Sequence, residues 1–363
     1  MIKNIAYIPG DGVGPEIMAE AAKVLIAIGE KSGIEFKFRE LLAGGIAIDK
    51  FGVPMPEETL EGCRESDAIL FGSVGGPKWD NEPWENVHTA ITPSRGIQLL
   101  RQTFELYGNI RPAKPYPCLY NKSPLKPEIL KDADVIVVRE QCGGLYFGEP
   151  RGIFNEKGIR RGVNTLSYRE DEVERIARLA FNLAKGRSKK ITSVDKHNVM
   201  ESSILWRQVV EKVALDYPEI EVEHMYADNA ALQLVLDPKR FDVIVTGNIF
   251  GDILSDLTAC YHASLGLMPS ASIGDSKFGL YEPIHGTAPD IAGKNIANPL
   301  SAILSAKMML EYSFDLEEEA LRIDKAVEKV LNNGYRTADI YSEGDIKVST
   351  SEMGDLIVRA LQE

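Results

Sequence analysis

The sequence predicts an α/β fold built from two lobes. Short apolar runs that end in turns alternate with longer segments of helical period along the 363 residues, and this alternation is typical of α/β proteins. At roughly 150 residues per domain, the length corresponds to about two domains or to one large domain with an insertion. Hydrophobic residues make up 44% of the chain and charged residues 26%. This composition is that of a globular protein and argues against disordered, collagen-like and membrane-spanning classes.

The first strand and helix follow directly from the N-terminal residues. Residues 2–8 are mostly apolar and run into the turn 9–12, which predicts a buried strand entering a loop. Pro15 suits the first turn of a helix and Glu16 suits the positive end of its dipole. The residues that repeat with helical spacing after them are Ile17, Ala21, Val24, Leu25 and Ile28.

Further elements are predicted by the same patterns. The predicted strands are Ala68–Phe71, Val135–Val138, Ile191–Val194, Val222–Tyr226 and Val243–Thr246. The predicted helices are Arg169–Lys185, Ser202–Asp216, Asp228–Leu236 and Glu317–Asn333.

Three segments lack a sustained period. The proline-rich residues 111–131 predict an extended crossover between the lobes, and residues 151–168 predict an arm outside the core. Residues 264–299 are rich in Gly, Pro, Ala, Ser and Asn and predict a long functional loop.

Charge and cysteine content limit the partners. The 54 acidic and 41 basic residues give a net charge of −13, which repels nucleic acid and anionic membranes. An anionic small molecule would therefore need a local cluster of arginines. The four cysteines lie far apart without a CxxC pair, which predicts reduced thiols in a cytoplasmic protein rather than a zinc site or disulfides. We expect no export signal at the N-terminus.

Acidic residues form the first candidate site. Asp252 and Asp256 lie four apart, so a helix would present both carboxylates on one face. They either solvate the start of a helix or, if that helix is half-buried, bind a hard cation such as Mg²⁺ or Mn²⁺. Asp228 follows a predicted strand, where it is either a helix N-cap or a ligand-binding residue.

Basic and aromatic residues add further candidates, each with an ordinary structural alternative. Lys196 ends a predicted strand and is either a surface lysine or a base. Arg101, Arg111 and Arg139 lie at strand ends or on a helix face, and either pair with a buried acid or bind a carboxylate. Tyr146 lies in a glycine-rich frame and packs in the core unless it serves the site.

Neither of the common nucleotide motifs is present. The sequence contains no G-x-G-x-x-G between a strand and a helix and no P-loop. The segment 285–299 instead combines small residues that allow a backbone to approach a ligand closely.

Taken in order, the motifs resemble the isocitrate/isopropylmalate dehydrogenase family of β-decarboxylating dehydrogenases over the whole chain, and its isopropylmalate branch in particular. They are residues 8–16 (IPGDGVGPE), 75–80 (GGPKWD), 109–113 (NIRPA), the segment around Tyr146, Asp195-Lys196, 246–256 (TGNIFGDILSD) and 285–299. The resemblance implies that family's two-lobe fold with a non-Rossmann dinucleotide site. We expect a discontinuous first lobe of residues 1–106 and 263–363 that carries the dinucleotide loop. Residues 107–262 would be the inserted lobe with the dimer interface and the metal and catalytic residues.

The resemblance also implies NAD-dependent oxidation and decarboxylation of 3-isopropylmalate, a step of leucine biosynthesis. Arg101, Arg111 and Arg139 would hold the malate carboxylates, and Asp228, Asp252 and Asp256 would bind Mg²⁺ or Mn²⁺, with Asp228 also bordering the substrate. Lys196 would take the hydroxyl proton and Tyr146 would help protonate the enolate.

For the dinucleotide, the resemblance implies binding by residues of the 285–299 segment, namely His285, Gly286, Ala288, Pro289, Asp290 and Asn298. Asp290 would accept hydrogen bonds from the ribose and repel a 2′-phosphate, which favours NAD over NADP. The family also implies a homodimer in which Lys196 and Asp228 reach the other subunit's site.

Two departures from the family pattern border the substrate. The helix that would contact the γ-substituent carries Ser94, Ile97 and Gln98, where isopropylmalate enzymes usually have Glu, Leu and Leu. Gln141 and Cys142 replace an expected Leu-Thr pair. Either Gln98 faces solvent or bonds to Gln141, or the substrate is another malate: homoisocitrate, isocitrate, 3-methylmalate or D-malate. A catalytically inactive regulatory or binding subunit is a further alternative, although every expected catalytic residue is present.

Overall fold

The computed structural model describes residues 1–79 and 90–363 and divides them into two compact units. The first unit combines Met1–Phe104 with Ser264–Glu363, and the second is Glu105–Ala263. Asp80, the last residue of one family motif, lies outside the described residues.

Strands and helices alternate in both units. The elements up to residue 104 are β1 (Ile2–Gly10), α1 (Gly14–Ser32), β2 (Glu35–Glu40), α2 (Gly45–Phe51), α3 (Glu57–Arg64), β3 (Ala68–Ser73) and α4 (Pro93–Thr103). Those of the second unit are β4 (Gly108–Ala113), α5 (Pro127–Leu130), β5 (Val135–Glu140), β6 (Gly148–Glu156), β7 (Ile159–Thr165), α6 (Glu170–Lys185), β8 (Lys190–Asp195), α7 (Glu201–Ala214), β9 (Glu221–Tyr226), α8 (Ala227–Leu236), β10 (Val243–Thr246) and α9 (Asn248–Thr258). The remaining ones are β11 (Pro269–Ile273), β12 (Gly279–Pro283), α10 (Leu300–Tyr312), α11 (Glu317–Asn332), β13 (Tyr335–Arg336), β14 (Ile346–Lys347) and α12 (Thr350–Gln362).

The first unit is built on strands in the order β2-β1-β3-β12-β11. Only β11 runs antiparallel to its neighbour among these strands. Helix α1 starts with a proline in its first turn, and all five apolar residues predicted for its inner face are fully buried. Burial of each large aliphatic side chain contributes about 1.5–3 kcal/mol, which fixes α1 and the loop before it on the sheet.

The second unit has the strand order β4-β5-β10-β8-β9, in which β5, β10, β8 and β9 are parallel. Strands β5 and β10 are fully buried, as expected of parallel strands covered on both faces. Strand β4 runs antiparallel to β5 and places Asn109 opposite Arg139 and Arg111 opposite Val137. Since cross-strand partners share a face, both arginines lie on the same side of the sheet.

The structure confirms an α/β fold and corrects two predictions about irregular segments. Residues 111–131 are not a crossover between lobes, because β4, a short 3₁₀ helix (Pro117–Lys122) and α5 all lie inside the second unit. Within residues 264–299, a short 3₁₀ helix (Leu265–Leu267) and strands β11 and β12 occupy part of the predicted loop, and the longest stretch without helix or strand is residues 284–299. Buried polar residues in these strands interrupted the apolar pattern. The predicted arm is a β6–β7 hairpin with exposed Ile153 and Ile159.

None of the helices in the described residues combines the length and the apolar character that crossing a membrane requires. The four cysteines, all within the described residues, form no disulfide.

Candidate active site

Most of the predicted catalytic residues of the second unit lie at one edge of its sheet. The parallel strands β5, β8, β9 and β10 have their carboxyl ends at this edge. Arg139 lies near the end of β5, whereas Lys196 follows β8, Asp228 follows β9 and Asn248 follows β10. The carboxyl edge of a parallel sheet is where α/β proteins bind ligands, because the loops and helix starts converge there.

Helix α9 carries the two predicted acidic ligands. Asp252 and Asp256 are one turn apart, with side chains 35% and 58% exposed. Leu254 of the same helix is buried, so the helix is half-buried as the sequence predicts. Burial raises the pKa of Asp256, while Arg111 opposes the rise.

Both carboxylates of α9 are paired with buried arginines. Arg111 Nη1 donates to Asp256 Oδ1 at 3.1 Å, and its Nη2 lies 3.6 Å from Asp252 Oδ1. Arg139 Nη1 donates to Asp252 Oδ1. On a half-buried helix two unpaired carboxylates are expected to need a cation that offsets their charges. In one chain the arginines already do so, and the cluster is a charge-balanced group of acids and guanidinium ions.

The guanidinium groups are oriented by neutral partners. Arg111 Nε donates to Asn109 Oδ1 at 2.7 Å, and Nη1 donates to Ser255 Oγ at 2.8 Å. Arg139 Nε and Nη2 donate to Asn248 Oδ1 at 3.1 and 2.7 Å. Planar guanidinium groups fixed in this way suit carboxylate recognition.

Tyr146 belongs to this cluster rather than to the core. Its hydroxyl donates to Asp252 Oδ2 at 2.9 Å, and the Arg139 guanidinium lies 5.7 Å from the ring centre. Burial and the Asp252 carboxylate raise the pKa of Tyr146, so the phenol stays protonated near neutral pH.

Lys196 and Asp228 form a separate ion pair. Lys196 Nζ donates to Asp228 Oδ1 and lies 5.5 Å from the ring centre of Tyr226. This hydrogen bond is the main cause that lowers the pKa of Asp228. Asp228 lies in the first turn of α8, and the N-cap position is Tyr226, so the N-cap alternative for Asp228 is wrong.

The predicted metal ligands offer hard carboxylate oxygens, which suit Mg²⁺ or Mn²⁺. In the described part of the chain, however, no group of three or more His, Cys, Asp and Glu side chains is arranged to hold a metal ion. Asp252 and Asp256 share α9, whereas Asp228 bonds to Lys196. One chain by itself therefore supplies two of the three predicted ligands together.

In the first unit, helix α4 carries the residues predicted to face the substrate. Arg101 Nη2 donates to Glu282 Oε1 at 2.7 Å, and both side chains are largely buried. Ile97 is buried, and the partly buried Gln98 accepts a hydrogen bond from Arg95 Nη1 at 3.3 Å. The side-chain oxygen of Gln98 therefore has a hydrogen-bond partner, Arg95, on the same helix.

The second departure from the family pattern is buried. Gln141 is 2% exposed, and its Nε2 donates to the Leu106 carbonyl at 2.7 Å. Gln141 and Leu106 both belong to the second unit, so the Gln141 amide is held by its own unit.

The predicted dinucleotide residues follow the carboxyl end of β12. His285 Nδ1 donates to the Gly286 carbonyl oxygen at 2.8 Å, and Nε2 of the neutral ring accepts from Ser301 Oγ at 2.9 Å. Burial lowers the pKa of His285, which keeps the ring neutral near pH 7. Asp290 is exposed, and Asn298 Nδ2 donates to Asp339 Oδ2 at 3.0 Å.

The glycine-rich turn after β1 touches this segment. Val13 N donates to Thr287 O at 2.9 Å. Gly12 has a φ of +60°, and a Cβ there would lie 2.1 Å from the Thr287 carbonyl oxygen. The turn therefore needs glycine both for its conformation and for the close backbone approach.

Two residues of the cluster had no role in the sequence argument. Glu140 is fully buried, and its carboxylate accepts the N–H groups of Cys142 and Gly143 at 2.9 Å each. Burial raises the pKa of Glu140 to about 7. Asn248 bonds to Arg139 and donates through Nδ2 to Gly143 O at 3.0 Å. In the sequence, Glu140 can be recognised as an acid that ends an apolar strand, and Asn248 as an amide that starts a helix.

Comparison with known proteins places these features in one family. The model of the isocitrate/isopropylmalate dehydrogenase family matches residues 4–357. A 3-isopropylmalate dehydrogenase of Aquifex aeolicus is 57% identical over 359 residues, which cover 99% of this chain and 97% of the relative. One from Clostridium acetobutylicum is 55% identical, with 99% of both chains covered.

Solved structures agree with this assignment. Isocitrate dehydrogenase from Methylococcus capsulatus superposes with a TM-score of 0.86 at 34% identity, covering 99% of this chain and 100% of the other. A β-decarboxylating dehydrogenase from Thermococcus kodakarensis gives 0.79 at 34% identity, covering 99% and 96%. With its family motifs, its α/β units and its arginine and aspartate cluster, the chain belongs to the isocitrate/isopropylmalate dehydrogenase family.

Proposed function

We propose that this chain oxidises and decarboxylates (2R,3S)-3-isopropylmalate in leucine biosynthesis. One 3-isopropylmalate dianion and one NAD⁺ give 4-methyl-2-oxopentanoate, CO₂ and NADH, which balances atoms and charge. The observation that carries the chemistry is the cluster of Arg111, Arg139, Tyr146, Asp252 and Asp256 at one sheet edge. The choice of substrate rests on full-length relatives of that name at 53–57% identity.

The three arginines would hold the substrate carboxylates. Arg111 and Arg139 are buried and oriented by Asn109 and Asn248, so their donors are arranged before the substrate arrives. Arg101 would add the third contact. An anionic substrate takes over guanidinium donors that now bond to Asp252 and Asp256, which frees these carboxylates to bind a metal.

Asp228, Asp252 and Asp256 would hold Mg²⁺ or Mn²⁺, and the segment from His285 to Asn298 would hold NAD. When bound, the cation would stabilise the negative charge that develops on the substrate, and NAD would accept the hydride. The exposed carboxylate of Asp290 disfavours a 2′-phosphate, so we expect NAD to be preferred over NADP.

Protons are handled by Lys196 and Tyr146. Lys196 Nζ would accept the proton of the C2 hydroxyl, directly or through water. After CO₂ leaves C3, Tyr146 Oη would help to protonate that carbon. The phenol is protonated near neutral pH and therefore has a proton to donate.

We place this enzyme in the cytoplasm as a homodimer in which Lys196 and Asp228 serve the site of the other protomer. Two features support the shared site. Asp228 does not join Asp252 and Asp256 in the described part of one chain. Helices α8 and α9 expose Leu232, Leu236 and Ile253 by more than half, and grouped exposed apolar residues are typical of subunit interfaces.

The test is a comparison of kcat/KM for 3-isopropylmalate, homoisocitrate, isocitrate, 3-methylmalate and D-malate, with NAD and Mn²⁺ or Mg²⁺. We expect 3-isopropylmalate to be preferred by about tenfold or more, since hydrophobic pockets discriminate on this scale. The same preference for another malate would overturn the substrate, and Gln98 would then be the first residue to replace.

Two variants separate an active enzyme from an inactive subunit. Lys196→Met should lower kcat by about 10²-fold or more, because a general base contributes on that scale. The exposed Lys239→Met is the matched control and should leave kcat unchanged. A chain that binds NAD but turns over none of the malates would instead be a binding or regulatory subunit.

A further inference from the structure

The segment from Ile284 to Pro299 has no helix or strand of its own, so its shape depends on bonds to neighbouring elements. One group of bonds comes from α12. Thr350 N donates to Asn295 O at 3.0 Å, and Thr350 Oγ1 donates to Ala297 O at 2.7 Å. These contacts hold the C-terminal half of the segment.

A second anchor comes from a single side chain in the first turn of α1. The Glu16 carboxylate accepts the N–H of Gly293 through Oε1 and the N–H of Asn295 through Oε2, the latter at 2.8 Å. Gly293 and Asn295 both have positive φ, +74° and +55°. The left-handed conformation costs free energy, particularly at Asn295, and is retained only where surrounding contacts select it.

Together with α12, Glu16 thereby fixes the backbone between two residues of the dinucleotide segment. Asp290 lies three residues before Gly293, and Asn298 lies three residues after Asn295. Hydrogen bonds that backbone N–H groups donate to a carboxylate are among the stronger ones in proteins. Since α1 is fixed by five fully buried side chains, the carboxylate is attached to a rigid element.

We propose that Glu16 is a positioning residue that holds the dinucleotide segment in its NAD-binding conformation. This inference rests on the proposed assignment of NAD to residues 285–298. Without Glu16 the segment would populate other conformations, and the apparent Kd for NAD would rise in inverse proportion to the fraction that remains in the competent conformation. A fall of that fraction to about a tenth gives about a tenfold weaker Kd.

The direction in which the Kd for NAD changes distinguishes a positioning role of Glu16 from a purely electrostatic one. NAD carries a negatively charged pyrophosphate, so removal of a negative charge in this region would, through reduced Coulomb repulsion alone, tighten its binding. The positioning role predicts weaker binding. Glu16→Gln keeps the size of the side chain but replaces one acceptor oxygen with an amide that opposes a backbone N–H.

The experiment measures Kd for NAD by isothermal titration calorimetry without malate, together with KM and kcat in turnover. Glu30→Gln is the matched control, because Glu30 lies exposed on the same helix and its removal changes the net charge equally. For Glu16→Gln we expect Kd and KM for NAD to rise about tenfold, while kcat and the KM for the malate stay within about twofold. Glu30→Gln should bind NAD like the unaltered protein.

Two results would overturn the inference. One is a Kd for NAD in Glu16→Gln that equals or falls below that of Glu30→Gln. The other is an equal rise of the KM for NAD and for the malate, which would indicate general damage. Should Glu16→Gln not fold, Glu16→Asp decides, since it retains the charge but is one methylene too short for both bonds, and an unchanged Kd would refute the role.

An unaltered protein that fails to bind NAD contradicts the proposed function instead. In that case the segment serves another purpose, and the proposed role of Glu16 falls with it. The two failures are distinguishable because the first appears only in the variant and the second already in the unaltered chain.

Discussion

Asn248 connects Arg139 to the turn before Tyr146, and its truncation should weaken both stability and substrate binding. Asn248→Ala removes two hydrogen bonds from the Arg139 guanidinium and one to the Gly143 carbonyl, at a residue that is 1% exposed. Bonds to a charged group contribute about 1.5–3 kcal/mol each and a neutral bond about 1 kcal/mol. Since such losses are not additive, we expect about 3–5 kcal/mol of unfolding free energy to be lost.

Urea unfolding followed by far-UV circular dichroism measures this loss. The exposed Asn332→Ala is the control and should change stability by less than about 0.5 kcal/mol. Asn248→Asp separates the two contacts, because a carboxylate still accepts from Arg139 but cannot donate to the Gly143 carbonyl. We also expect the KM for the malate to rise in Asn248→Ala. A loss below about 1 kcal/mol with an unchanged KM would refute the reasoning.

Three further predictions follow from the same structure. The pKa of Glu140 is raised from 4.5 to about 7, so its contribution to stability is greatest below pH 4.5 and is lost as the pH rises through 7, by about 3 kcal/mol at pH 8. Urea unfolding at a series of pH values should show this loss of stability in the unaltered protein and not in Glu140→Gln. An equal pH dependence in the two proteins would contradict the prediction. Tyr146→Phe should lower kcat by about 10²-fold with little change in the melting temperature, whereas the exposed Tyr341→Phe should leave kcat unchanged. Gly12→Ala should cost about 3 kcal/mol or more, because its Cβ meets the Thr287 carbonyl. Gly33→Ala, with φ +69° and open space around it, should cost only about 1 kcal/mol; similar losses in the two glycine variants would show that the close approach is unimportant.

Periodic patterns predicted the elements that have strong apolar faces. The inner face of α1 and the buried runs of β5 and β10 are readable because burial selects their residues directly. Strands β11 and β12 escaped prediction because Ser270, Ser272 and Glu282 are buried polar residues satisfied by local bonds or ion pairs. A pattern of apolar residues cannot show where such partners exist.

The candidate site was predictable as a set of residues but not as a set of contacts. Family motifs single out Asp252, Asp256 and the arginines, yet their mutual pairing depends on the packing of α9 against β4 and β5. Long-range partners such as Glu16 with Asn295, separated by 279 residues, leave no local signal. The domain boundaries and the ligand roles remain predictions, and the variants of Lys196, Tyr146 and Glu16 test the ligand roles.

The antiparallel pairing of β4 with β5 has a consequence for how the family can change in length. A deletion or insertion of one residue within β4 would turn Arg111 to the opposite face of the sheet, away from α9, because side chains alternate along a strand. Such a change would remove the contacts of Arg111 with the carboxylates of α9, even if β4 still paired with β5. The tip of the β6–β7 hairpin, around Lys157 and Gly158, is exposed and carries no such constraint. Length variation among relatives should therefore accumulate at that tip and be absent from β4.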